Sequence, residues 1–314
     1  MSDDALLTKA YDWLTDDEDA RVCKDIPDAA CNDQPKNYFI HLASLSLAKT
    51  GDKFADPKIV IAWMLTALGA PSVYLSLLVP IRESLSLLPQ MIVAGVIRRL
   101  PVRKWLWSAG SLGQALALAA MGFVALSLSG ARTGAAIVVA LTVFSLSRGI
   151  CSVTHKDVVG KTISKTRRGG VSGYADAVSG AAAALLALWF ILGGERSVGA
   201  LVVMLFAAAA MWVAAAVLYA QLSETAGATE GGGDALAEAR RQIGLLKSDR
   251  PFRRFVFART ALLGSALAAP YYVALARNNG GGAASTFGTL LLAASVATFL
   301  TGPFWGAHVR PVQS

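Results

Sequence analysis

Ala200-Leu-Val-Val-Met-Leu-Phe-Ala-Ala-Ala-Ala-Met-Trp-Val-Ala-Ala-Ala-Val-Leu-Tyr219 carries no charged residue. Wound as a helix at about 1.5 Å per residue, this stretch is about 30 Å long, the thickness of the hydrocarbon core of a bilayer. A lipid-facing barrel strand needs alternating apolar and polar residues; this run has none of that alternation, nor does Ala181–Leu192. Helices therefore cross the membrane here. Reading outward, comparable runs occupy Phe39–Leu68, Val73–Ile97, Trp105–Leu128, Ala135–Thr154, Val171–Leu192, Val198–Ala220, Phe255–Ala276 and Ser285–Trp305. The sequence thus predicts an all-α polytopic membrane protein. Composition agrees, because a chain with 54% hydrophobic and 16% charged residues would leave too much apolar surface in water.

Orientation follows from the loops, since Lys and Arg resist transfer across the inner membrane. One set of loops holds Arg98, Arg99, Arg103 and Lys104, then Lys156, Lys161, Lys165, Arg167 and Arg168, then Arg240, Arg241, Lys247, Arg250, Arg253 and Arg254. The other set holds only Arg132, Arg196 and Arg277. This asymmetry places both termini inside and predicts a multi-pass protein of the inner (plasma) membrane. The net charge of +8 is then a consequence of topology and not a sign of nucleic-acid binding. No cleavable signal is expected in residues 1–37, which lack a basic start and an apolar run. Cys23, Cys31 and Cys151 all fall inside or in the membrane, so no structural disulfide is expected.

Four regions follow: an acidic cytoplasmic tail over 1–37, a six-helix amino-terminal bundle over 38–220, a cytoplasmic loop over 221–254, and a partial second bundle of two helices over 255–314. The tail begins with an amphipathic pattern in which Leu6, Leu7, Tyr11 and Leu14 share a side. It either packs on the basic inner face or stays solvated. The first span contains Lys49-Thr-Gly-Asp-Lys-Phe-Ala-Asp-Pro-Lys58 between apolar segments too short to cross alone. One interrupted helix is expected, because two re-entrant segments would spoil the charge alternation of every later loop. After the sixth span, flexible Thr229–Asp234 precedes an amphipathic helix around Ala235–Leu246.

Six helices, a long charged inner loop and further helices resemble the major facilitator superfamily of secondary transporters. The local signs are Gly95-Val-Ile-Arg-Arg-Leu-Pro-Val-Arg-Lys104 after the second span, Phe144-Ser-Leu-Ser-Arg-Gly149 in the fourth, and Gly173-Tyr-Ala-Asp-Ala-Val-Ser-Gly180 in the fifth. The family's loop motif runs from a glycine to an aspartate four residues on and ends in paired bases. Gly95, Arg103 and Lys104 fit it, whereas Arg99 occupies the acidic position. Gly302-Pro-Phe-Trp-Gly306 looks like the approach to a second copy of that loop, which predicts a chain truncated after about eight of the usual twelve helices. The resemblance implies transport of a small solute by alternating access, coupled to protons. A non-transporting membrane scaffold, or an inactive fragment of a transporter, is the competing expectation.

Charge held at depth in a membrane costs several kcal/mol, so each such group is a candidate for the transport path. By helical rise, Asp52 and Glu83 lie about 20 Å from the inner face, with Lys53 and Arg82 beside them. These four are expected to line one cavity, the two acids as proton carriers or the two bases as fixed structural partners. Arg148 and Asp176 form a second set matched in depth, either recognising an anionic solute or closing the inner bundle. At the inner face, Gly95, Arg99, Arg103, Lys104 and Asp157 make a candidate gate, Asp157 being placed to pair with the basic loop across from it. His41, His155 and His308 are too scattered, and the cysteines wrongly spaced, for a metal site. No enzyme signature, cofactor or metal is expected; the expected partners are a small solute, protons and membrane lipid.

Overall fold

The computed structural model describes residues 7–11, 26–97, 99–193, 197–227, 229, 244–279 and 283–308. All the named elements are helical: α1 (Asp28–Asn32), α2 (Gln34–Phe54), a π-helical turn (Pro57–Ile61), α3 (Ala62–Ala67), α4 (Ser72–Ile97), α5 (Lys104–Ser127), α6 (Gly130–Thr162), α7 (Arg168–Ile191), α8 (Val198–Ala220), α9 (Arg250–Leu267), α10 (Ala269–Asn279) and α11 (Ala284–His308). Among them α5, α6, α7 and α8 are long and apolar enough to cross a membrane. This is the make-up of an all-helical membrane protein.

The side chains of α5 say what surrounds it. Leu112, Leu116, Phe123 and Leu126 are exposed on one side, while Ser108, Ser111 and Gln114 are buried on the other. A helix in water would be turned the other way, with its polar residues outside. These buried polar groups find partners within the bundle: Ser108 Oγ donates to the Ala216 carbonyl at 3.0 Å, Ser111 Oγ donates to the Trp107 carbonyl at 2.9 Å, and Gln114 Nε2 reaches Cys151 Sγ at 3.4 Å, while Gln114 Oε1 has no partner among the described residues.

Within the bundle α2 packs on α7 and α8, α5 on α6 and α8, α4 on α6, and α11 on α7. The α7–α11 contact depends on Gly288. A Cβ there would stand 2.7 Å from the Ala187 carbonyl and 2.8 Å from Ile191, closer than real side-chain contacts allow. Small residues let helix backbones approach in lipid, where tight packing replaces the hydrophobic effect as the cohesive force.

The chain between Gln34 and Leu68 runs from one end of the bundle to the other. At its start Gln34 Oε1 accepts from Ser164 N at 2.9 Å and Asn37 exchanges hydrogen bonds with the Ser223 backbone at 3.0 and 2.9 Å. At its finish the Leu68 carbonyl accepts from Gly130 N at 2.9 Å. Gly130 takes a φ of +63° at that turn, a conformation open to glycine at little cost. The break between α2 and α3 has a local cause. Pro57 offers no N–H, and Asp56 turns its carboxylate onto the backbone, accepting from Lys58 N at 2.7 Å and Ile59 N at 3.1 Å. The Asp56 carbonyl accepts from both Val60 N and Ile61 N, so the chain restarts as a wide π turn.

Residues 7–11 are helical, and Tyr11 is buried against the basic-loop end. Its hydroxyl accepts from Gln34 Nε2 at 2.7 Å, and its ring meets Tyr38 edge-on at 5.4 Å. Leu6 and Leu14 lie outside the described residues, as does most of the helix expected around Ala235–Leu246. Cys31 is disulfide-bonded, which corrects the expectation of no disulfide, and Cys151 is free.

Candidate functional site

Asp52 is the centre of the site. Arg82 Nη2, from α4, donates to its Oδ1 at 3.2 Å, and Arg148 Nη1, from α6, donates to its Oδ2. One carboxylate on α2 thus joins two guanidinium groups from two other helices. The Asp52 side chain keeps 16% of its surface and Arg82 12%, while Arg148 keeps 37%. Arg82 also lies over the buried ring of Phe144, 5.0 Å from its centre, so an aromatic face shares its charge.

The expected foursome of Asp52, Lys53, Arg82 and Glu83 is only half assembled. Asp52 and Arg82 meet, but Lys53 donates to Thr298 Oγ1 on α11 at 2.7 Å, and Glu83 pairs with Lys58 of the π turn at 3.3 Å. Adjacent residues on a helix point about 100° apart, so Lys53 and Glu83 are turned toward different neighbours from Asp52 and Arg82.

The expected pairing of Arg148 with Asp176 is also corrected. Asp176 binds Lys49 at 2.8 Å, and Lys49 Nζ donates as well to Ser172 Oγ at 3.0 Å. The reason is one of depth. Thr162, at the end of α6, bonds His41 of α2 at 2.8 Å, which ties the two helices at one level. From that level Lys49 rises about 12 Å and Asp52 about 16 Å; Arg148 rises about 21 Å, and Asp176 stands about 12 Å along α7. Because α6 extends to Thr162 and not to Thr154, Arg148 sits deeper than the sequence suggested.

A second cluster lies at the end with the basic loops, and its centre is a residue that the sequence reading missed. The side chain of Glu224, in the segment after α8, has no exposed surface. It accepts from Arg103 N at 2.8 Å and Lys104 N at 2.7 Å, capping the start of α5, and it pairs with Lys161 of α6 at 2.9 Å. Negative charge is favoured at a helix N-terminus, where free N–H groups point outward. Asp157 completes the cluster by pairing with Arg103 and with Lys161 at 3.1 Å. Lys104 Nζ donates to the Leu222 carbonyl at 2.7 Å. Of the other expected gate residues, Gly95 lies within α4 and Arg99 is exposed. An acid four residues past the end of an apolar span, ahead of the other acids of that loop, was the available signal for Glu224.

Beside this cluster His41 and His155 meet edge-on at 5.7 Å, and Tyr219 lies between His155, which it contacts at 3.2 Å, and Trp107, on which it stacks at 3.9 Å. Among the described residues no group of three or more His, Cys, Asp or Glu is placed to hold a metal ion. No protein-family model, curated protein or solved structure matches the chain.

Proposed function

We propose that this chain is a secondary transporter of major-facilitator type, set in the inner membrane with both termini on the cytoplasmic side, which moves a small solute by alternating access with protons as the coupling ion. The observation that carries this reading is the Asp52 carboxylate bound between Arg82 and Arg148. A carboxylate whose charge binds helices together in one conformation can take up a proton, lose that hold, and let the helices part in another. Arg103, Lys104, Asp157, Lys161 and Glu224 are the cytoplasmic gate in this scheme, made and broken once per cycle.

The test is uptake into proteoliposomes loaded with a pH-sensitive dye, across a panel of anionic, neutral and cationic solutes. Asp52→Asn should abolish solute-driven proton movement while leaving insertion and monodispersity intact. The scaffold reading draws on the fact that Asp52, Glu83, Asp157, Asp176 and Glu224 are all paired. It gains if Asp52→Asn lowers stability and leaves a demonstrated flux untouched.

A further inference from the structure

Resting on the transport reading above, we infer that the solute is a small oxyanion, a carboxylate- or phosphate-bearing molecule, which replaces the Asp52 carboxylate between the guanidinium groups of Arg82 and Arg148. The first support is spare donor capacity. A guanidinium carries five N–H groups in a fork suited to planar oxyanions. Arg82 and Arg148 each make a single hydrogen bond among the described residues, both to Asp52. Two forks converge on one carboxylate, and most of their donors have no partner among the described residues.

The second support is charge. Around the triad, Lys49 is matched by Asp176 and Lys58 by Glu83. Asp56 is committed to the backbone N–H groups of Lys58 and Ile59. Lys53 has only the Thr298 hydroxyl and no ion pair among the described residues. The triad of two arginines and one aspartate is itself a net cation; Lys53 is offset by the charge that Asp56 keeps while hydrogen-bonded to the backbone, so one positive charge is left over. No other helix offsets this: Val198–Ala220 has no charged residue, and from Arg250 to Ser314 the sequence contains neither Asp nor Glu. An anion entering this space meets surplus positive charge, whereas a cation meets repulsion.

Asp52 is then a placeholder. With the site empty it keeps two like charges together, which would otherwise repel in a medium of low dielectric constant. When it takes a proton its charge is gone, and the oxyanion supplies the two acceptor oxygens instead. One proton and one monoanion together are neutral, so the site carries the same total charge empty and loaded. The groups around Asp52 that share this balance are Lys49, Lys53 and Asp56 on its own chain segment, Arg82 and Glu83 on α4, Arg148 on α6, Asp176 on α7 and Thr298 on α11.

The test uses the purified full chain in detergent, with thermal unfolding followed through its 7 tryptophans at constant ionic strength. Acetate, succinate and inorganic phosphate are the anionic probes, glucose the neutral control and choline the cationic one, each at about pH 5.5 and about pH 7.5. At least one oxyanion should raise the midpoint by several degrees at the lower pH. Its apparent affinity should weaken about tenfold or more in R148Q and partly recover in R148K. In D52N the same oxyanion should stabilise equally at both pH values, because no proton is needed to free the arginines. The inference is overturned if no oxyanion stabilises the protein, if choline or glucose does so instead, or if the anion effect survives in both R82Q and R148Q. Counterflow of the same radiolabelled probes in proteoliposomes separates this inference from the one it rests on. Arg-dependent binding without exchange keeps the oxyanion site and removes transport, while exchange of glucose or choline that D52N blocks keeps transport and removes the oxyanion.

Discussion

Asp52, half-buried, and Glu224, whose side chain has no exposed surface, are both acids that hold bases from other helices, yet they should fail differently when altered. Asp52→Asn keeps the size of the side chain and removes its charge, so transport should fall by about 100-fold, as a lost step of about 2.7 kcal/mol, and with no oxyanion added the melting midpoint should fall as well, because Arg82 and Arg148 lose the charge that holds them together. Initial rates in proteoliposomes read the first and thermal unfolding the second. Glu224 joins α5, α6 and the segment after α8 through a charge with no access to solvent. Removing one partner of a buried pair strands the other, so Glu224→Ala should cost about 3 kcal/mol of stability. Glu224→Gln keeps an oxygen for the Arg103 and Lys104 N–H groups and should cost clearly less; equal losses in the two variants would mean that the charge on Glu224 is irrelevant. Hydropathy pointed to Asp52 because a charge inside an apolar run is conspicuous. Glu224 sits where charge is ordinary, and its burial comes from three segments converging on it.

Two helices show how local chemistry and distant packing divide the work. The break after α2 is written into Asp56-Pro57, a missing N–H beside an acid that caps the restarting chain. Asp56→Ala should therefore cost about 1 kcal/mol and disturb Lys58 and Glu83, which the turn positions; circular dichroism and melting of the purified chain would show it. Gly288 is the opposite case, since nothing next to it in sequence demands a glycine. It is required by the Ala187 carbonyl of α7 across the interface. Gly288→Val should push α11 from α7, weaken the Lys53–Thr298 hydrogen bond and lower the melting midpoint by several degrees, whereas Gly264→Ala, with open space around it, should be close to neutral. Helix ends were the least legible feature, and the error had a consequence. The polar tail of α6 beyond Thr154 reads as loop in hydropathy but stays helical, which moves Arg148 from the level of Asp176 to that of Asp52.

For the protein as a whole, the apolar exposed faces and the segregated basic loops make a joint prediction about how it sits in the membrane. Ser129 and Lys165 are exposed at opposite ends of the bundle. With the native cysteines replaced by serine, Ser129→Cys should react with a membrane-impermeant maleimide in intact cells, and Lys165→Cys only after lysis. The reverse pattern would overturn the orientation. The disulfide at Cys31 bears on the proposed orientation, because a tail on the proposed cytoplasmic side would meet a reducing compartment. Comparing gel mobility with and without reductant, on protein trapped by alkylation in cells, tells whether that bond exists in place.

The membrane-spanning character, the helical class and the basic end of the bundle were legible in the chain, because each depends on summed properties of long segments: hydropathy over about twenty residues, and counts of Lys and Arg between them. The interruption at Asp56-Pro57 was legible for a related reason, being a local effect of neighbouring residues. Which charges meet was not. Pairing depends on helix rotation and relative depth, where a shift of one residue turns a side chain by about 100° and eight residues of extra helix raise it by about 12 Å. Tertiary packing alone placed Arg148 on Asp52, sent Lys53 to Thr298 and Asp176 to Lys49, and buried Glu224 among bases 63 or more residues away along the chain.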